Sequence, residues 1–95
     1  MTGHLPAALA RQVGGRGEIA IRPARPADAR EVRRLAQLVD RAVPTEPLLL
    51  AESDGTVVVA LSTSTGDVVS DPFRATADLV DLLRLRSVQL HDLAA

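Results

Sequence analysis

Ninety-five residues allow one domain with a single core of about two layers. Apolar residues make up 46% of the chain and Phe73 is its one aromatic, so the core must come from Leu, Val, Ile and Ala, and base-stacking platforms for nucleic acid are not expected. A net charge of −1 argues against broad attraction to nucleic acid or an anionic membrane, and the lack of cysteine removes disulfides, thiolate metal sites and Cys nucleophiles.

Residues 1–17 read as a tail. His4 through Val13 allow a turn or two of helix, which Gly14-Gly15-Arg16-Gly17 ends as a hinge. This segment lacks the basic start of a signal peptide, and no apolar run approaches the roughly 20 residues that span a bilayer. A cytoplasmic protein is the expectation. Residues 18–95 form the predicted domain. Ile19 and Ile21 alternate with Ala20 and Arg22 as in a half-buried strand, which Pro23 closes. A helix is predicted from Pro26, with Asp28 in its first turn facing the positive end of the dipole. Val32, Leu35, Ala36, Val39 and Ala42 share one face of that helix, which runs up to the loop bracketed by Pro44 and Pro47.

Leu48–Ala51 is a continuous apolar run, and Asp54-Gly55 before Thr56 is a strong type I′ hairpin signal. Thr56–Ser62 is the return strand. Its three consecutive valines place it centrally in the sheet, covered on both faces. Ser64-Thr65-Gly66-Asp67 predicts a second turn, and Val68-Val69 a third, shorter strand of the meander. A second helix is predicted to begin between Pro72 and Ala75. Asp78 and Asp81 near its start and Arg84 and Arg86 later agree with its dipole. Leu79, Val80, Leu82, Leu83, Leu90 and Leu93 cover an arc wider than one core contact requires, and Arg86 projects into it. The predicted class is α+β: a four-stranded, mostly antiparallel sheet with two helices in the order β-α-β-β-β-α.

Ile21-Arg22-Pro23-Ala24, Pro26-Ala27-Asp28-Ala29 and the later run from Leu49 through Ala51-Glu52-Ser53-Asp54-Gly55-Thr56 to Val58 resemble the opening of the GNAT superfamily of N-acetyltransferases. The likeness covers about residues 19 to 90 and only the N-terminal half of that fold. The family carries a Gln/Arg-x-x-Gly-x-Gly/Ala turn after its fourth strand, whose amides hold the pyrophosphate of acetyl-CoA at a helix N-terminus. The corresponding place here reads Asp71-Pro72-Phe73-Arg74, without glycine, and the chain stops before the family's fifth strand. Gln12-Val13-Gly14-Gly15-Arg16-Gly17 matches the family pattern by letter but precedes the first strand, and reads as linker.

Two functions follow as expectations. One is a truncated GNAT-like domain, non-catalytic alone and without cofactor, acting as an interaction or homodimerisation module. Leu82, Leu85, Arg86 and Leu93 are its candidate surface; Arg86 either snorkels from the apolar stripe or pairs with a carboxylate across the interface. The alternative is a minimal acetyl-CoA-dependent N-acetyltransferase or CoA-binding protein. It would use Arg74 and the amides of Ala75 and Thr76 for phosphate, with Glu52 as general base. Without a partner of metal-ligand spacing, His4 and His91 predict no metal site, and the Ser62–Thr65 hydroxyls lack an activating base. Arg30, Arg33 and Arg34 form a helix face that Glu31 and Asp40 interrupt, so no nucleic-acid partner is expected.

Overall fold

The computed structural model describes residues 18–94. The tail, with His4 and the Gln12–Gly17 run, lies outside the described residues. Strand β1 (Ile19–Pro23) leads through a short 3-10 turn (Pro26–Asp28) into helix α1 (Ala29–Leu38). Strands β2 (Leu48–Ser53), β3 (Thr56–Ser62) and β4 (Val68–Ser70) follow, then helix α2 (Ala77–Ala94). The strands form one antiparallel sheet in the order β1-β2-β3-β4. This is the α+β architecture that the sequence pattern predicts.

The β2–β3 connection is the two-residue turn expected of Asp-Gly: Asp54 and Gly55 take φ of 52° and 82°, and Ser53 pairs with Thr56. Asp accepts this left-handed region more readily than most residues, and Gly takes it without steric cost. The predicted second turn also forms. Ser62 Oγ accepts from the Thr65 amide at 3.1 Å, and Thr65 Oγ1 accepts from the Asp67 amide at 3.1 Å.

Cross-strand pairing sorts the core into two layers. One layer joins Leu48, Leu50, Val57, Ala60 and Val69 to Val32 and Leu35 of α1. The other joins Leu49, Ala51, Val58, Val59 and Leu61 to Leu83 of α2. Neighbouring Val58 and Val59 share a layer because the register shifts there: Ala51 pairs with Val59 but Glu52 with Val57, so Val58 is the extra residue of a β-bulge. The carbonyl of Val58 is not wasted, since it accepts the Asp71 amide at 2.8 Å.

Three element boundaries differ from expectation. Pro26–Asp28 form a 3-10 turn rather than the first α-helical turn. Helix α1 stops at Leu38, so Ala42 is an exposed loop residue rather than part of its apolar face. Asp40 takes a φ of 54°, while the amides of Asp40 and Arg41 bond back to Gln37 and Ala36 at 3.1 and 3.0 Å. That is a Schellman stop with Asp where Gly is usual. Helix α2 starts at Ala77, later than expected, because Asp71 first organises its own turn.

Candidate functional site

Arg22 is the most heavily bonded side chain of the described residues. Its guanidinium grips both carboxylate oxygens of Asp28 at 2.8 Å and donates to Glu52 Oε2 at 2.6 and 3.1 Å. Asp28 also accepts the Arg25 amide at 2.7 Å, closing the entry to α1. Hydrogen bonds from Arg22, then from the Arg25 amide, hold the Asp28 carboxyl well below the usual aspartate range, and the Arg22 guanidinium is pushed further above its own. Glu52, the residue assigned as a base, is thus half-buried and engaged by Arg22 rather than standing on a solvated rim.

On the opposite face of the sheet lies a cleft of about 660 Å³. Its apolar walls are Ile19, Val58, Leu79 and Leu82. Ser53, Asp54, Thr76 and Asp78 add polar groups, and Arg74 and Ala75 complete its edge. Side chains alternate along β2, so Ser53 faces this cleft while Glu52 faces Arg22 and the start of α1. The sheet therefore separates Glu52 from Arg74, Ala75 and Thr76. The residues expected to share one acetyl-transfer site are not brought together.

The turn before α2 is also occupied. Asp71, itself buried, accepts the Phe73 amide on Oδ1 at 2.8 Å and the Arg74 amide on its carbonyl at 3.3 Å. Two amides that a glycine-rich turn would offer to phosphate are used internally. Thr76, just before α2, accepts the Val80 amide at 2.9 Å on its carbonyl.

The remaining candidates lie on α2. Among the described side chains of this helix, only Leu83 is fully buried, with Leu79 and Val80 packed beside it. Leu82, Leu85 and Leu93 are 47%, 56% and 82% exposed, and Val88 and Leu90 are exposed as well. Arg86 is exposed, and no described residue pairs with it. Among the described residues, no helix is long and apolar enough to cross a membrane, and no group of three His, Asp or Glu is placed to hold a metal ion. The sequence reading missed the Arg22–Asp28–Glu52 cluster. Its one local signal was an Arg on a strand six positions before an Asp at a helix start. No family model, curated protein or solved structure matches this chain.

Proposed function

We propose that this chain is a non-catalytic interaction module, related to the first half of the GNAT fold, whose copies pair through the outer face of α2. The observation that carries the reading is the unpartnered stripe of Leu82, Leu85 and Leu93 on a helix that spends only its first turns on the core. Exposed apolar surface of this kind on a small domain marks an association site. A two-fold pairing covers both stripes with one self-complementary contact and gives Arg86 carboxylates to reach on the partner. The reading places the protein in the cytoplasm, without a nucleic-acid partner, in keeping with its net charge of −1.

Light scattering on the full chain across a concentration series tests it. The expected mass is that of a dimer, reverting to a monomer in the Leu85→Asp/Leu93→Asp variant while circular dichroism stays unchanged. A wild-type monomer at high concentration overturns the reading.

A second reading, CoA binding without transfer, draws support from the position of Arg74, Ala75 and Thr76 along one cleft at the start of α2. Acetyl-CoA at 100 times its Kd would add about 2.7 kcal/mol to stability. An unchanged Tm at millimolar acetyl-CoA rejects it.

A further inference from the structure

The cleft between α2 and the β2–β3 turn has hydrogen-bond donors at its base that nothing in the fold uses. Thr76 is only 8% exposed, and its side chain bonds to no described residue. Among the described residues no sealed side-chain oxygen or nitrogen lacks a partner, so the Thr76 hydroxyl opens onto the cleft that this residue lines. Helix α2 adds donors beside it. Its first bond runs from the Val80 amide to the Thr76 carbonyl, so the amides of Ala77, Asp78 and Leu79 precede the helical ladder. All three residues line the cleft, and no described group accepts from their amides. A Thr just before a helix usually caps such an amide with its own oxygen. Here the hydroxyl and the amides are left to a shared acceptor.

Charge decides which acceptor fits. The positive end of the α2 dipole and the Arg74 guanidinium at the edge favour an anion. Asp54 and Asp78 line the cleft too, but at exposed positions where water and salt screen them. They leave room for one negative charge and oppose the second charge of a phosphate. Beyond the head group, Ile19, Val58, Leu79 and Leu82 supply apolar walls, and about 660 Å³ is the size of a small-molecule site. We propose that this cleft binds a monocarboxylic acid with an apolar tail. Its carboxylate accepts from the Thr76 hydroxyl and the first-turn amides of α2, and its tail lies against Val58 and Leu79. The site does not rest on the dimer reading, and it competes with the CoA reading for the same helix start.

Three probes with one tail and different heads test it: octanoate, octylamine and octanol, each titrated into the full isotopically enriched chain. Octanoate is expected to shift the amide signals of Ala77, Asp78 and Leu79 together with the methyl signals of Val58 and Leu79. It should bind at least tenfold more tightly than either analogue. Thr76→Val should weaken octanoate at least tenfold, about what a hydrogen bond to a charged group contributes, while Thr76→Ser keeps it within about twofold. Arg74→Gln, at an exposed position that the fold does not need, should weaken it severalfold and so reports on the head group even if Thr76→Val fails to fold. Octanol binding as tightly as octanoate would show an apolar groove without head-group recognition. Tighter binding of octylamine would give the site to an amine through Asp54 and Asp78. Coenzyme A shifting the same amides when octanoate does not would leave the cleft to the phosphate reading. Each of these, or no shift with any probe, overturns the proposal. Leu82 belongs to the outer stripe as well, so light scattering on the same samples reports the dimer reading separately.

Discussion

The two helices of this protein use their apolar residues in opposite ways. Helix α1 is sparing: Val32, Leu35 and Ala36 are buried, Val39 packs at the edge, and nearly everything else is polar. Helix α2 has apolar residues on most of its circumference, yet among its described side chains only Leu83 disappears into the core. The difference teaches that the sheet needs few residues from either helix. What α1 lacks beyond that need is replaced by Arg22–Asp28–Glu52, which ties its entry to β1 and β2. What α2 has beyond it lies open as surface.

The largest effects should come from cutting the core on either side of the sheet. Leu35→Ala and Leu83→Ala each remove a side chain with no exposed surface and should cost about 2–5 kcal/mol, read by urea unfolding. A Leu83 variant as stable as wild type would mean that α2 is held by something other than its single buried leucine. Next comes the cluster at the start of α1. Asp28→Asn removes one charge of a bidentate pair and should cost about 1.5–3 kcal/mol. The Asp28 carboxyl is held below its ordinary value, so its contribution is complete above about pH 4 and is lost as the pH falls towards its folded-state value. Wild-type stability should therefore drop on acidification below about pH 4, and the Asn variant should show a shallower drop. An identical acid profile in the two proteins would show that the cluster does not distinguish the α1 side.

Gly55→Ala acts through the backbone alone: φ is 82° and nothing lies within 4 Å of the added methyl group. It should cost about 1–2 kcal/mol. The smallest effect belongs to the exposed half of α2, where Leu93→Ala should change monomer stability by less than about 0.5 kcal/mol. If it costs as much as Leu83→Ala at low concentration, the outer stripe is covered within one chain and the contrast between the helices fails.

Much of this architecture was legible from single residues. Asp54-Gly55 marked its hairpin, Thr56–Ser62 its central strand, and the excess leucines of α2 an arc too wide for one contact. The candidate site was less legible. Glu52 reads locally as a rim carboxylate because it precedes a turn, and nothing nearby in sequence reveals that Arg22, 30 residues earlier, takes hold of it. The end of α1 was hidden for a related reason: Ala42 continues the apolar spacing, and only the bonds from Asp40 and Arg41 back into the last turn show where the helix stops.

Alone, the sequence determined what depends on a few adjacent residues: turn dihedrals, the alternation of strands and the apolar faces of helices, all set by local sterics and spacing. The tertiary structure decided what depends on register between distant segments. The bulge at Val58 put two neighbouring valines in one layer. Pairing of β1 with β2 brought Arg22 to Glu52, while alternation along β2 set Glu52 and the α2 cleft on opposite faces. A one-residue shift in pairing reverses every side chain beyond it, so no local signal could assign those faces.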